Sequence, residues 1–509
     1  MTETAPTSRR RRVITVALLV LIPLSLAAAS VWRIVHLEPT DRFFDDFFYY
    51  IDVARNWTSG QGSTFFPNEP TNGYHPLWFL WLSALLRLCG SGSLFFALVD
   101  LSITALLIAF FFLYRAFLNR VTGHDLAAVI GAGIAVVAIA PRAMWGLEMA
   151  LVACAAAAVL AFLARYPMTD DSPRNGLIAG VLVCVMVLAR LDSAVLLPGI
   201  IVAAFWTASA KNRWGFAVGL APILGYAMLN LVQFGRIETT SMAAKSLSTY
   251  LPPNWHIIAT ESPFPGAREI LVGVAMVTVF VLIRRHPSTV IRRLSIALAS
   301  APALQLFAQL VFSGWSAYPW YWYFDLMTIG LAAALVLARV QQNRHRVGVT
   351  VVAVLLLLAA YPLSFQGGQH PNRDIAQLTA QLRTFAAEHP GIYAMGDAAG
   401  TPGWLIGRPI VHLEGLMMSH QFLDRIRQGQ PLTEVFRDYH VSYYVAVRPS
   451  APEATDGCLR FAEPAASQSS PRAPHLTADV CGEPVTILTV GDRYRARIYR
   501  VDPATGAIG

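Results

Sequence analysis

Two adjacent carboxylates, Asp45 and Asp46, follow closely on a hydrophobic run over residues 13–35. They belong to a polar segment, residues 41–76, that is rich in aromatic residues, asparagine and glycine. Neighbouring like charges repel, so one of the two carboxyl groups has a raised pKa. Such a group can act as the base that accepts a proton from an attacking hydroxyl, while its neighbour orients it or binds a divalent ion. The alternative is a solvated polar loop without a chemical role.

Three further charged residues interrupt apolar runs: Glu148 in WGLEMAL, and Arg190 and Asp192 in ARLDSAV. Charged side chains beside the hydrocarbon of a membrane are costly and commonly mark a functional site. Glu148 could belong to such a site, or it could face water where a helix enters the membrane. Arg190 and Asp192 could belong to the site, or they could simply pair with each other.

Lysine, histidine and tyrosine supply the remaining candidates. Lys245 is one of only two lysines in an arginine-rich chain, and its compact ammonium suits a phosphate, although it could be an ordinary loop lysine. His75 could donate to a phosphate or cap the helix that follows it. Tyr321 and Tyr323 lie in the cluster SGWSAYPWYWYF. This cluster is either an interfacial aromatic belt or a surface that stacks on a sugar and offers hydroxyl groups.

Composition places the chain among polytopic membrane proteins. Of its 509 residues, 55% are hydrophobic and only 14% are charged, which is not typical of a soluble enzyme. The net charge of +8 does not indicate a nucleic-acid partner, because the arginines separate hydrophobic runs instead of forming a stripe. About eleven runs are predicted to cross the membrane. They cover residues 13–36, 94–114, 126–141, 149–164, 176–191, 193–209, 214–233, 269–283, 294–313, 322–340 and 347–365.

The basic residues predict the topology. Residues 1–12 carry four consecutive arginines, so they are expected in the cytoplasm, and the first run is too long for a usual cleaved signal peptide. With eleven spans, the later basic connections fall on the same side. This requires that residues 77–88 form a juxtamembrane or re-entrant helix and do not span. Residues 37–93 are then the first external loop, and the candidate site faces the outside of the inner (plasma) membrane.

The tail, residues 366–509, differs from the rest. Short β-type runs and one amphipathic helical pattern predict an extracytoplasmic α/β domain. Its two cysteines, Cys458 and Cys481, are predicted to form a structural disulfide, because an external compartment permits one. The other three cysteines lie in or beside apolar runs and are interpreted as small core residues; they are Cys89, Cys154 and Cys184.

Six motifs, taken in order, resemble the GT-C superfamily of membrane glycosyltransferases, which use polyprenyl-phosphate-linked sugars. They are DDFFYYIDVARN, NGYHPLW, WGLEMAL, ARLDSAVLL, FGRIETTSMAAKS and PWYWYFDL. The tail segment GDAAGTPGWLIGRPIVHLEGL is similar to the soluble domain of many bacterial members. The nearest pattern is that of the branch with the arabinofuranosyltransferases and the protein-mannosyltransferase-like enzymes. The resemblance implies a GT-C-like transmembrane domain over residues 13–365, with the catalytic loop at residues 37–93.

The resemblance also implies an activity and roles for residues. The chain is expected to move a single hexose or pentose from a polyprenyl-phosphate donor to a cell-envelope glycan, lipid or protein. The first external loop would carry the catalytic acid, with Asp45 expected as the base and Asp46 as its partner. The residues expected to bind the donor phosphate or sugar are Lys245, His75, Arg190, Asp192, Glu148, Tyr321 and Tyr323.

Cofactor use and the identities of sugar and acceptor stay open at this point. GT-C members differ in metal dependence, so the resemblance does not decide whether a divalent cation binds, with Asp46 and Glu148 as the candidate ligands. Two other functions compete with the enzyme: a transporter or flippase of lipid-linked glycans, and a non-catalytic assembly protein of the envelope. The chain contains no Walker A, GxSxG or HExxH motif, so ATP-driven pumping is unsupported.

Overall fold

The computed structural model describes residues 5–166, 168–259, 266–316, 318–342, 371–447, 454–455, 458–465, 470, 472–490 and 494–509. The described chain is predominantly helical up to residue 342, and a unit of mixed helices and strands follows from residue 371. The predicted fold class, a polytopic helical protein with a C-terminal α/β unit, is confirmed.

The first long helix, α1 (Ala5–His36), leads into a segment of short helices. These are α2 (Pro39–Arg42), α3 (Asp45–Thr58) and α4 (Pro76–Cys89). Proline starts α2 and α4, since its fixed φ suits the first helical turn. With 14 residues, α4 is about 21 Å long, which is less than the roughly 30 Å thickness of a bilayer core. This length favours the predicted juxtamembrane or re-entrant helix over a span.

Eleven further α-helices lie between residues 93 and 342 of the described chain. They are α5 (Ser93–Thr122), α6 (Asp125–Ala143), α7 (Met149–Arg165), α8 (Pro173–Ala189), α9 (Leu197–Ile200), α10 (Ala210–Phe234), α11 (Thr240–Lys245), α12 (His256–Ala259), α13 (Ala267–Ile283), α14 (Thr289–Phe312) and α15 (Tyr323–Gln342). Six of the described helices, α1, α5, α6, α10, α14 and α15, are long and apolar enough to cross a membrane. Helices α7, α8 and α13 have 17 residues each and coincide with three more predicted runs. The predicted run at 347–365 lies outside the described residues.

The predicted run over residues 193–209 is not one continuous α-helix. It is divided into a 3-10 helix (Leu191–Leu196), α9 and a π-helical turn (Ile201–Phe205). Pro198 contributes to the break, because proline has no N–H to donate to the carbonyl four residues earlier. Hydropathy shows that this stretch is apolar but does not show where its hydrogen bonding is interrupted.

Four glycines bring α8 and α10 into close backbone contact. Gly176 and Gly180 are four residues apart on α8, and Gly215 and Gly219 have the same spacing on α10, so each pair lies on one helix face. A Cβ atom added at any of the four would collide with the backbone of the facing helix. Small residues at this spacing let membrane helices pack closely.

The C-terminal unit contains a mixed five-stranded sheet. Its described elements are α16 (Pro371–Glu388), β1 (Ile392–Met395), α17 (Gly400–Leu405), β2 (Ile410–His412), α18 (His420–Arg427), α19 (Leu432–Asp438), β3 (Val441–Val447), β4 (Ala454–Thr455), β5 (Cys458–Glu463), β6 (Leu476–Val480), β7 (Thr486–Val490) and β8 (Tyr494–Arg500). The strand order is β2-β1-β3-β8-β7, and β4, β5 and β6 form a second, antiparallel sheet. A disulfide joins Cys458 and Cys481, the predicted pair, next to the β5–β6 pairing.

Strand β1 pairs in parallel with β2 and β3. The carboxyl ends of parallel strands lie at the same edge of a sheet, which is where ligands commonly bind in such folds. The segments that follow β1 and β2, residues 396–400 and 413–419, therefore leave the sheet at one edge. This edge contacts α3 and the loop after it, through hydrogen bonds described below.

Candidate active site

Asp45 lies where α3 meets the C-terminal unit, and it is 3% exposed. Its Oδ2 accepts a hydrogen bond from the N–H of Gly400 over 3.0 Å. Its Oδ1 accepts from the N–H and the hydroxyl of Thr401 over 2.6 and 2.7 Å. Burial raises the pKa of Asp45 to about 6, and the three donors oppose that rise because they favour the charged form. Protein donors therefore occupy both oxygens of Asp45.

Asp46 has different surroundings, although it is the next residue. Its side chain is half-buried and accepts no hydrogen bond from the described residues. Burial raises the pKa of Asp46 to about 7, and the charge of Asp45 adds to that rise. Lys245 is the nearby cation that opposes it, while Asp397 and Glu148 face the same carboxylate as further negative charges. Asp46 is thus an unengaged carboxylate that titrates near neutral pH.

Arg190 lies between two carboxylates and joins them into a network. Its Nη1 contacts Oε1 of Glu148, and its Nε donates to Oδ1 of Asp192 over 2.8 Å. Arg190 and Glu148 are each 2% exposed, so their pairing is shielded from water. Asp192 also accepts hydrogen bonds from Gln305 Nε2 over 2.9 Å and from the Tyr323 hydroxyl over 3.3 Å. The pairing of Arg190 with Asp192, one of the two alternatives that the sequence left open, is present, and both residues belong to this larger network.

His75 belongs to the same network through Glu148. The N–H of Leu191 donates to Nδ1 of His75 over 3.3 Å, so the neutral imidazole carries its proton on Nε2, 3.6 Å from Oε1 of Glu148. Burial, together with the charge of Arg190, lowers the pKa of His75 to about 3, and the ring is neutral. Tyr50 completes the arrangement, since its hydroxyl donates to Oε2 of Glu148 over 3.0 Å. The His75 side chain does not cap α4.

Lys245 approaches this network from α11. Its Nζ donates to the Tyr321 hydroxyl over 2.9 Å, and this is its only hydrogen bond among the described residues. The guanidinium of Arg190 lies 4.5 Å from the centroid of the Tyr321 ring. Tyr321 thus separates the two cations and contacts both, which is a cation–π arrangement on the Arg190 side. The structure therefore brings together all of the sequence-predicted candidates for catalysis and donor binding.

The C-terminal unit supplies contacts that the sequence did not predict. One is the contact of Thr401 with Asp45 described above. In another, the N–H of Ala399 donates to the Tyr49 hydroxyl over 3.1 Å, and that hydroxyl lies 3.1 Å from Nε2 of His412. Nε2 of His412 is also 3.4 Å from Glu414, whose pKa is raised by burial. The one available signal was the motif GDAAGTPGWLIGRPIVHLEGL, which contains these residues but does not indicate that they meet α3.

The sequence left it undecided whether a divalent cation binds, with Asp46 and Glu148 as its candidate ligands. No group of three or more His, Cys, Asp or Glu side chains within the described ranges is arranged to hold a metal ion. Glu148, one of the two candidate ligands, already has both oxygens in contact with Arg190 and Tyr50. Asp46, the other candidate, accepts no hydrogen bond from the part of the chain that the structure describes.

A cavity of about 220 Å³ adjoins the network on the side of α13 and α14. It shares Tyr321 and Gln305 with the network, and Arg268 and Asp325 add charge to its lining. Its remaining walls are largely apolar, with Val272, Met276, Pro302, Ala303 and Leu306 among them. The cavity is therefore polar where it meets the network and apolar between the two helices.

Comparison with known proteins shows the fold. The sequence matches no protein-family model and is not detectably similar to a curated protein. The structure is similar to the oligosaccharyltransferase of Archaeoglobus fulgidus tethered to an acceptor peptide, with a TM-score of 0.52 and 13% identity over 85% of this chain and 69% of that chain. The oligosaccharyltransferase AglB of the same organism, in complex with an inhibitory peptide and a dolichol-phosphate, gives a TM-score of 0.53 with 12% identity over 85% of this chain and 69% of that chain.

A weaker likeness relates the chain to ArnT from Cupriavidus metallidurans bound to undecaprenyl phosphate, with a TM-score of 0.46 and 16% identity over 84% of this chain and 79% of that chain. At these identities the comparisons with the oligosaccharyltransferase define the fold only. The chain has the fold of the GT-C membrane glycosyltransferases.

Proposed function

We propose that the chain is a membrane glycosyltransferase that moves one sugar from a polyprenyl-phosphate donor to a hydroxyl group of a cell-envelope glycan, lipid or protein. The observation that carries this proposal is the unengaged carboxylate of Asp46 beside Lys245. This pairing puts a base and a phosphate-binding cation in one site. The oligosaccharyltransferase that shares the fold holds a dolichol-phosphate in its structure, which supports a polyprenyl phosphate as the carrier.

Asp46 is proposed as the base and Asp45 as its support, which reverses the roles expected from the sequence. In the reaction, the acceptor oxygen forms a bond to the anomeric carbon of the donor sugar. The bond between that carbon and the phosphate oxygen breaks, and polyprenyl phosphate leaves with the bonding electrons. Asp46 takes the proton of the acceptor hydroxyl. Asp45 is a poorer candidate for this step, because Gly400 and Thr401 already occupy its oxygens.

Lys245 is proposed as the direct ligand of the donor phosphate. Its ammonium has three donors and uses one on Tyr321 among the described residues, so two stay available for phosphate oxygens. The charge of Arg190 is largely neutralised by Glu148 and Asp192. Arg190 is proposed to act mainly by holding the Tyr321 ring in place and by setting the electrostatic potential around Lys245. Stabilising the charge of a departing phosphate in a site shielded from water contributes substantially to the rate.

The remaining donor-site residues are proposed to shape the sugar and lipid pockets. His75 and Glu148 hold Arg190 in place. The buried Tyr323 donates to Asp192, and Asp192, whose side chain is 27% exposed, is proposed to present a polar group toward the sugar. The cavity between α13 and α14 has the apolar walls and polar rim that suit the first isoprenoid units of a lipid carrier.

The site is proposed to face the outside of the inner (plasma) membrane. Four consecutive arginines precede α1, which favours a cytoplasmic N-terminus. Helix α1 then emerges on the external side, just before α3, and the C-terminal unit that contacts α3 lies on that side as well. The acceptor is accordingly proposed to be a component of the cell envelope.

The proposal is tested with the purified full chain in proteoliposomes. Synthetic polyprenyl-phosphate-linked pentoses and hexoses are supplied with an envelope extract as acceptor, and released polyprenyl phosphate is measured. We expect release from one donor class, and a release rate at least roughly 100-fold lower with the Asp46→Asn variant. Turnover of nucleotide sugars without a lipid phosphate would contradict the proposal. Movement of intact donor across the vesicle membrane without cleavage would indicate a transporter instead.

A further inference from the structure

The first turn of α3 is held by residues more than 350 positions away in the sequence. All three donors to the Asp45 carboxylate belong to Gly400 and Thr401. Glycine is required at position 400, because a Cβ there would collide with the backbone of Asp45. Gly403, one turn later, allows a second close approach, since a Cβ there would lie 2.6 Å from Cζ of Phe65. The start of α17 is therefore fitted closely against α3.

Adjacent residues of a helix point in directions about 100° apart. Holding the Asp45 side chain against Thr401 consequently fixes the rotation of the first turn of α3 about its axis. That rotation determines where the carboxylate of Asp46 lies relative to Lys245 and Glu148, the charged groups that it faces from α11 and from the start of α7.

We propose that Thr401 is a positioning residue of the active site, which acts through Asp45 to hold the Asp46 carboxylate toward Lys245. This inference rests on the function proposed above, and it makes the C-terminal unit a part of the catalytic machinery. Thr401 is 3% exposed and its hydroxyl donates to Asp45, so its effect is expected to reach the reaction through α3.

Docking of the C-terminal unit does not depend on the Thr401 hydroxyl alone. The Tyr439 hydroxyl donates to Glu69 over 2.6 Å, and Ser419 N–H donates to the same carboxylate over 3.3 Å. The Thr240 hydroxyl donates to the carbonyl of Leu416 over 3.2 Å. These contacts lie on the loop after α3 and on α11, away from Asp45. Removing one hydroxyl at position 401 is therefore expected to leave the unit docked while it loosens the first turn of α3.

The test compares Thr401→Val, which keeps the shape but loses the hydroxyl, with Thr401→Ser, which keeps the hydroxyl. Thr384→Val is the matched control, since Thr384 is exposed and its hydroxyl bonds only within its own helix. The full-length variants are assayed in proteoliposomes with the donor that the wild type cleaves. We expect Thr401→Val to lower kcat roughly 10- to 100-fold, the effect of losing a buried hydrogen bond to a charged group. The KM for the donor, the Thr401→Ser rate and the Thr384→Val rate are expected to stay within about threefold of wild type.

A second readout does not depend on transfer. Asp46→Cys is introduced after Cys89, Cys154 and Cys184 have been replaced by alanine, and the rate of its reaction with a small anionic thiosulfonate is measured with and without Thr401→Val. We expect the rate to change at least threefold when the Thr401 hydroxyl is absent, with the thermal midpoint of unfolding within a few degrees. An unchanged thiol reactivity would overturn the inference, and so would equal loss of kcat in Thr401→Val and Thr401→Ser. A changed reactivity in a protein that cleaves no donor would sustain the positioning role and reject the proposed function.

Discussion

Asp45 and Asp46 are neighbours in the sequence but face different parts of the molecule. The Asp45 carboxylate is bound by three donors of the C-terminal unit. The Asp46 carboxylate lies near Lys245 and accepts no hydrogen bond from any described residue. A carboxylate that accepts several hydrogen bonds is stabilised in its charged form and is a weaker base. The two side chains therefore differ in chemical role, although their positions in the sequence do not distinguish them.

The first prediction separates the two carboxylates by substitution. Asp46→Asn should lower kcat by roughly 10²- to 10⁴-fold, because the base is lost while the shape is kept. Asp45→Asn should lower kcat less, by roughly 10- to 50-fold, because the change removes a residue that supports the base and not the base itself. Steady-state release of polyprenyl phosphate measures both effects. The opposite ranking would return the role of base to Asp45, as the sequence-based assignment had it.

The second prediction concerns pH. The base must be ionised to accept a proton, and burial with the charge of Asp45 raises the pKa of Asp46 to about 7. The value of kcat/KM should therefore rise with pH, pass through half of its maximum near pH 7 and level off above it. Asp45→Asn removes the neighbouring negative charge, so the pKa of Asp46 falls. The acidic limb of the pH profile, where kcat/KM rises with pH, then moves to lower pH. Glu388→Gln, at an exposed position on α16, serves as control and should leave the limb in place.

Individual residues were predictable where a charge interrupts an apolar run. Glu148, Arg190 and Asp192 stand out for this reason, and the structure joins them in one network. The contact of Thr401 with Asp45 was not predictable, because a threonine in a small-residue turn has no distinguishing pattern and its partner is 356 residues away. The engagement of Asp45, and with it the choice of Asp46 as base, follows only from that contact.

At the scale of elements, hydropathy predicted the membrane helices because each apolar run reflects one buried or lipid-facing helix. It failed at residues 193–209, where Pro198 lies within a run divided into three kinds of helix. It also gave no account of how α8 and α10 pack. The four glycines reveal this packing only when the two helices are seen side by side, because a pair of glycines four residues apart is a common feature of apolar segments.

The third prediction concerns this packing. Gly180→Ala places a methyl group against the carbonyl of Phe216, so α8 and α10 must separate. We expect a loss of stability of roughly 1–3 kcal/mol, the usual cost of overpacking, seen as a lower thermal midpoint of the detergent-solubilised protein. Gly225→Ala on α10 is the matched control, because a Cβ there meets nothing within 4 Å. A midpoint for Gly180→Ala equal to that of Gly225→Ala would show that the backbones are not in contact.

At the scale of the molecule, the contacts of the C-terminal unit determine which parts share a side of the membrane. The unit contacts α3 through Thr401 and the following loop through Tyr439 and Ser419. Helix α1 ends just before α3, so its C-terminal end must also lie on that side. The basic residues of the sequence predict that this shared side is the external one, and that orientation stays a prediction.

The fourth prediction concerns the Cys458–Cys481 disulfide. The bond closes a loop of 23 residues, so it should stabilise the C-terminal unit by about 3 kcal/mol on a chain-entropy model. Mass spectrometry of peptides from protein purified without reductant should recover the linked pair. Neither cysteine takes part in the proposed reaction, so the double variant Cys458→Ser/Cys481→Ser should unfold at a lower temperature and keep its KM for the donor. Recovery of two free thiols would contradict both the bond and the external placement of the unit.

The last prediction concerns sidedness in intact cells. Single cysteines are placed at Asn68, Gln428 and Arg285, all at exposed positions, after Cys89, Cys154 and Cys184 have been replaced by alanine. Asn68 lies in the loop after α3 and Gln428 follows α18, so both should react with an impermeant maleimide from outside. Arg285 follows α13 in a basic connection, which the positive-inside rule assigns to the cytoplasm, and it should react only after permeabilisation. Because the structure puts the first two positions on one side, they must behave alike. Labelling of Arg285 in intact cells, with Asn68 and Gln428 protected, would invert the orientation and place the proposed active site in the cytoplasm.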